Sequence, residues 1–291
     1  STYEVEVFAT DTRDTTRAAF AITVGNDAPQ FTEVPEDQTV QPKQTLEAQV
    51  EAEDPNGDPV SFSLSQAPDN ASIDTTGLIT FTPTLVQNDT TFTIGVRASD
   101  GRAQADTSFA VSVEAPAARA QFIHNAGDPA AETVDIYFDD QLQLDNFSFR
   151  NATPFVDVPA GVEIDVGVAP GGSSSVADTL ARFPLTFAEG QSHTVVANGV
   201  LDPTSFAANP DEEDTGFEFL VDANAQEGAT SADSVDVRAV HGATDAPTVD
   251  IGVNGTTLFD DLVYGDITDY IEAPPAALRL VVTPGDSDAS V

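Results

Sequence analysis

The chain of 291 residues contains no cysteine, no methionine and no tryptophan, and its only lysine is Lys43. Without cysteine there are no disulfides, no thiolate nucleophiles and no thiolate metal sites. A secreted form must then be held by core size, metal or neighbouring domains. Positive charge is equally scarce, with 10 basic residues against 49 acidic ones and a net charge of -39. The few arginines are scattered, which excludes nucleic acid and anionic membrane as partners, because phosphate recognition needs clustered Lys and Arg. No stretch is apolar enough to span a membrane. No signal peptide opens the chain, which starts at Ser1 inside an alternating pattern and is read as beginning within a domain. No segment has a helical period either.

What is present argues for a folded chain. The hydrophobic fraction is 40% and there are 18 Phe, whereas disordered acidic chains are poor in aromatic and β-branched residues. Charge of this density repels itself over a Debye length of roughly 8 Å at physiological salt, and over only about 3 Å at 1 M. The composition therefore points to a protein adapted to high salt, the alternative being an ordinary acidic secreted protein.

Two internal repeats organise the chain. At an offset of 89, Tyr3, Val5, Val7, Ala9 and Asp11 fall on Phe92, Ile94, Val96, Ala98 and Asp100, and Phe20, Ile22 and Val24 fall on Phe109, Val111 and Val113. Both stretches alternate apolar with polar residues, as half-buried strands do. Residues 1–24 are expected to be the closing hairpin of one β-sandwich and residues 25–115 a complete copy of the next. Inside that copy the expected inward rows are Leu46, Ala48, Val50 and Ala52, then Val60, Phe62 and Leu64, then Ile79 and Phe81. The turn after the first row is Pro55-Asn56-Gly57-Asp58.

In the second repeat, the segment from Phe122 to Asp128 recurs as Ala239 to Asp245, at an offset of 117. Val134-Asp135-Ile136 recurs as Val249-Asp250-Ile251 at an offset of 115, and Phe155 with Pro159 as Tyr270 with Pro274. These mark a further sandwich over residues 118–230 and the first half of another over 233–291. The fold class expected is all-β, as tandem immunoglobulin-like or cadherin-like sandwiches.

Residues 25–115 resemble a bacterial cadherin-like domain of the dystroglycan type. The matching residues are Asn26-Asp27-Ala28-Pro29 before Phe31, Asp54 to Val60, Thr76-Gly77-Leu78-Ile79 leading into Thr82-Pro83, and Val96 to Gly101. Residues 118–230 and the half-unit after Asp233 look like domain of unknown function 4397. That resemblance rests on the His-x-x-x-Asp step before Val-Asp, the aromatic followed by Pro, and Thr194-Val195-Val196-Ala197-Asn198-Gly199. The first resemblance implies calcium at a domain junction, with Asn26, Asp27, Asp54, Asn56 and Asp100 as the matching ligand positions. Calcium takes six to eight oxygens from carboxylates, amides and backbone, and these residue types supply them. The pattern departs from animal cadherins in lacking their Asp-Arg-Glu segment, where Leu85 to Asp89 offers Gln87, Asn88 and Asp89. The second junction, Glu114-Ala115-Pro116-Ala117-Ala118, has no Asn-Asp pair.

His124 and His241 hold equal places in the second repeat and are read as structural, each fixing a loop at a strand end. Ser192-His193 lacks an elbow motif and a Gly-rich oxyanion segment, so no catalytic residue is assigned and the chain is not expected to be an enzyme. The run Asp211-Glu212-Glu213-Asp214 is read as a solvated loop. These readings lead to an extracellular, cell-surface role in structure or adhesion, with other copies of the chain or surface proteins and glycans as partners. The alternatives are a carbohydrate- or protein-binding module of a larger secreted enzyme and a subunit of an extracellular filament.

Salt adaptation makes a direct prediction: the thermal midpoint rises as NaCl is raised from dilute buffer to molar concentration. Full stability in dilute buffer without divalent ions would contradict it.

Overall fold

The computed structural model describes residues 2–285. Ser1 and residues 286–291, the end of the last expected unit, lie outside the described residues. The chain is all-β and divides into two compact units, residues 1–114 and 115–291.

The first unit contains β1 Thr2–Thr10, β2 Thr15–Thr23, β3 Gln30–Glu33, β4 Gln38–Val40, β5 Leu46–Gln49 and β6 Glu51–Glu53. It continues with β7 Ser61–Gln66, β8 Ala71–Ile73, β9 Leu78–Phe81, β10 Thr90–Ser99 and β11 Gln104–Val113. One sheet has the order β4-β11-β10-β7, with β4 parallel to β11, and the facing strands form β5-β9-β8 and β3-β6. Alternation along these strands turns Val50, Ile79, Phe81, Ile94, Val96, Phe109, Val111 and Val113 into a shared core. Phe62 and Leu64 pack against it from the edge. Gly77 is required for a physical reason: its φ is +86°, and a Cβ there would lie 2.4 Å from the Val50 carbonyl oxygen. The β1–β2 hairpin pairs Val5 with Phe20, and 89 residues later β10–β11 pairs Ile94 with Phe109 in the same register.

The second unit begins with β12 Ala117–His124, β13 Thr133–Phe138, β14 Gln141–Ser148, β15 Val156–Pro159, β16 Glu163–Pro170, β17 Ala181–Thr186, β18 Ser192–Asn198 and β19 Glu218–Asp222. These form two four-stranded sheets, β15-β12-β18-β19 and β14-β13-β16-β17, with β12 parallel to β18. Runs such as Val195-Val196-Ala197 are buried on both faces, as a central strand should be. There follow β20 Val235–Val237, β21 Val249–Val253, β22 Thr256–Leu262, β23 Ile271–Ala273 and β24 Leu280–Pro284. They form the sheets β20-β23 and β22-β21-β24. The order and pairing of β20 to β24 reproduce those of β12 to β16.

The reproduction extends to single bonds. His124 N–H donates to Asn151 O, and His241 N–H to Asp266 O. Thr153 N–H donates to Phe122 O, and Thr268 N–H to Ala239 O. Left-handed backbone recurs at an offset of 115, at Asp139 and Asn254, at Asn146 and Asp261, and at Arg150 and Gly265. We refer to residues 118–233 and 235–285 as the first and second repeats.

Candidate functional site

The five residues expected to hold calcium lie at one end of the first sandwich, on the segment before β3, the β6–β7 loop and the β10–β11 turn. Asp100 closes that turn: its Oδ1 accepts from the backbone of Arg102 at 2.6 Å and Ala103 at 2.7 Å, and its Oδ2 accepts from Asn26 Nδ2 at 2.7 Å. The bonds from Ala103 and Arg102, followed by that from Asn26, hold its carboxyl below the usual range. Asn56 Oδ1 accepts from Asp27 N–H at 2.7 Å, and Asn56 Nδ2 donates to Asp27 Oδ2 at 3.3 Å. Asp54 shapes its own loop, its Oδ1 accepting from the backbone of Asn56 at 2.8 Å and Asp58 at 3.3 Å.

The structure thus joins Asn26 to Asp100 and Asp27 to Asn56, with Asp54 beside the second pair. Asp54 Oδ2 is a buried carboxylate oxygen with no hydrogen-bond donor, a group that a cation would satisfy. Against this, Arg102 Nη1 approaches Asn26 Oδ1 at 3.5 Å, placing a positive charge on one of the would-be ligands. Of the segment standing in for Asp-Arg-Glu, Gln87 is committed to Asn70 and Thr84.

Among the described residues, three acidic ligand atoms gather within 4.8 Å of one another only at Asp250, Asp260 and Asp261, in the second repeat. Their counterparts in the first repeat are Asp135, Asp145 and Asn146. Asp135 is fully buried, and its Oδ1 accepts from Asn146 N–H at 2.7 Å while its Oδ2 takes Ser173 N–H at 2.7 Å and Ser173 Oγ–H at 2.6 Å. Burial pushes this carboxyl up, and the bonds from Asn146, Ser173 and Gly172 pull it below its usual value. Asp250 repeats the first of these bonds, accepting from Asp261 N–H at 2.9 Å.

The histidines act on the adjoining turn. His124 Nε2 bonds Ala131 O at 2.8 Å and His241 Nε2 bonds Pro247 O at 2.9 Å. Each ring meets an aromatic edge-on, Phe149 and Tyr264 respectively. Asp128, four residues after His124, caps the turn through Ala130 N–H and accepts Leu201 N–H at 2.8 Å. Ser192 Oγ donates to Glu227 at 2.8 Å, while His193 Nε2 accepts Ala188 N–H at 3.3 Å. The two side chains serve different partners.

Sequence reasoning missed the contacts between the repeats. Arg238, 11% exposed, forms an ion pair with Asp222 on β19, donates to Thr194 Oγ1 on β18, and stacks 4.5 Å from the Tyr270 ring centre. Burial raises the Asp222 carboxyl, but the Arg238 bond and its charge return it below the usual range. The 199–217 loop also crosses over: Asn209 donates to the carbonyls of Thr244 and Ala246, and Asp211 accepts from the backbone and hydroxyl of Thr248. Residues 211–214 lie exposed in this loop, and Asp211 in addition accepts from Thr248. The strand pattern carries no signal for it, since Arg97, Arg119 and Arg182 sit in similar alternating strands with side chains 39–41% exposed.

A family model described as "Domain of unknown function (DUF4397)" matches residues 118–233 and 235–291. One described as "Putative Ig domain" matches residues 28–114. An Ig-like domain is thus followed by DUF4397. A search of curated proteins finds no match. Among solved structures, Drosophila N-cadherin EC1-3 is similar at 15% identity and a TM-score of 0.30, over 67% of this chain and 77% of that one. Human protocadherin-24 EC1-2 is similar at 15% identity and a TM-score of 0.27, over 55% and 96%. The endo-fucoidan hydrolase MfFcnA4 from glycoside hydrolase family 107 is similar at 14% identity and a TM-score of 0.29, over 65% of this chain. The chain spans only 34% of that hydrolase's length.

Burial lowers the His124 pKa below its ordinary 6.5. The folded state then binds fewer protons than the unfolded state just below that value. Its contribution to stability is complete above about pH 6.5 and is lost as the pH falls from there toward the folded pKa. The thermal midpoint advantage of the wild type over His124→Gln is expected to shrink between pH 7.5 and 5.5. An advantage that is constant or grows on acidification would contradict the assignment.

Proposed function

The chain belongs to the DUF4397 family, and we propose that it is a structural or adhesive part of an extracellular, multi-domain surface protein. Ig-like domains are typical of extracellular and cell-surface proteins, and no helix among the described residues is long and apolar enough to cross a membrane. The observation that carries the reading is the fastening of two family repeats into one body by Arg238 and the 199–217 loop. Reinforcement of this kind suits a part that holds surfaces at a fixed geometry. Its partners on this reading are other copies of the chain, or surface proteins and glycans.

Calcium belongs to the same proposal. The orphaned Asp54 Oδ2 supports it, and Asn26, Asp27, Asn56 and Asp100 would supply the remaining side-chain oxygens once the amides of Asn26 and Asn56 turn away from the carboxylates. Bound there, the ion would stiffen the segment that leads from β2 into β3.

Beads coated with the whole chain test both parts. Clustering that requires millimolar or lower calcium and is lost in Asp54→Asn supports the full proposal. Clustering indifferent to calcium retains adhesion and removes the ion. Beads that stay dispersed in molar salt with calcium, while the chain binds a soluble polysaccharide, would overturn adhesion in favour of a carbohydrate-binding module.

A further inference from the structure

Five of the eleven asparagines stand two residues before a Ser or Thr with no proline between: Asn70, Asn88, Asn146, Asn151 and Asn254. Only about one residue in six is Ser or Thr, so composition alone would give fewer. In a secreted protein this triplet is the acceptor for an N-linked glycan, carried on a surface loop. The transfer joins the side-chain amide nitrogen to the anomeric carbon of a sugar. The bond from that carbon to a lipid pyrophosphate carrier breaks, the carrier leaves, and the nitrogen gives up one of its two protons. An asparagine that spends both protons inside the fold cannot hold the sugar without breaking a hydrogen bond.

The fold separates the five. Asn70 spends both protons, its Nδ2 donating to Thr82 O at 2.6 Å and to Gln87 Oε1 at 2.9 Å, and its Oδ1 accepts from Gln87 Nε2 at 3.1 Å. Asn88 and Asn146 give a proton to the adjoining Asp89 and Asp145. Asn151 and Asn254 are exposed, and their side chains make no hydrogen bond among the described residues.

The internal repeat shows what the fold asks of these two positions. Asn254 and Asp139 hold the same place, at the β21–β22 and β13–β14 turns, and both have left-handed backbone. Asp139 Oδ1 accepts Asp165 N–H at 3.0 Å, and aspartate thus meets the demand of the turn. Asn151 and Asp266 also correspond. Their carbonyls do the same work, accepting from His124 N–H at 2.9 Å and from His241 N–H at 3.0 Å. Asp266 Oδ2 in addition accepts Val263 N–H at 2.9 Å. At each place, then, one repeat has an aspartate built into its turn and the other has an asparagine whose side chain the fold leaves unused. In a chain with 49 acidic residues, the amide at these places answers to something other than folding.

We propose that Asn151 and Asn254 carry N-linked glycans, one on each repeat, transferred from a lipid-linked oligosaccharide. The assignment rests on the extracellular reading above, because that transfer takes place on chains leaving the cytoplasm. The sugars stand on turns at strand ends, where their bulk meets solvent and displaces no packed side chain.

The test is peptide mapping by mass spectrometry of the whole chain, recovered separately from the interior and from the surface and medium of the cells that produce it. The expected result is an extracellular chain in which the peptides of Asn151 and Asn254 each carry an oligosaccharide mass and that of Asn70 carries none. Asn151→Gln and Asn254→Gln each remove the mass from their own site alone. An extracellular chain with either asparagine bare, or with sugar on Asn70, would overturn the glycan assignment and leave the extracellular reading standing. A chain confined to the cell interior and unmodified throughout would overturn both.

Discussion

Arg238 is nearly withdrawn from water, and its guanidinium is divided among the Asp222 carboxylate, the Thr194 hydroxyl and the face of Tyr270. A buried charge is tolerated only when its donors are matched, and removing one partner of such a pair typically costs about 3–5 kcal/mol. In a chain with 10 basic residues and 49 acidic ones, an arginine buried at the joint between two repeats orients both of them. Asp222 comes from the last strand of the first repeat and Tyr270 from the segment before β23 of the second. The clasp of Asn209 on the carbonyls of Thr244 and Ala246, and of Asp211 on Thr248, joins the same two repeats at a second place.

Within each repeat, a smaller set of buried polar groups does the corresponding work. The histidine ties strand to turn, and the aspartate of the Val-Asp step accepts the backbone of the left-handed residue 11 positions on. An all-β sandwich without disulfides leaves turn backbone groups that must be paired. Paying for them with His and Asp side chains explains why these residues sit at strand ends beside apolar runs.

Much of this architecture was legible in the sequence. The alternation of Ile79 with Phe81 and of Val111 with Val113 marks the core of the Ig-like domain, because strand periodicity depends only on local order. The sequence repeats by themselves align His124 with His241 and Asp135 with Asp250. The joint was hidden, since Arg238 pairs with Asp222 only after both strands are folded, and nothing in the spacing of those two residues sets them apart from other acids and arginines. Asp211 was hidden for the same reason, as one acid in a run of four. The residues expected at the calcium position do cluster, but as amide-carboxylate pairs with Arg102 close by.

Native-state hydrogen exchange on Arg238→Gln tests the joint most directly. If the guanidinium holds the repeats together, the amides of β21 and β22 exchange faster in the variant while those of β13 and β16 keep their wild-type protection. Unchanged exchange throughout β21 and β22 would show that the repeats are held by something other than Arg238, and would contradict the account.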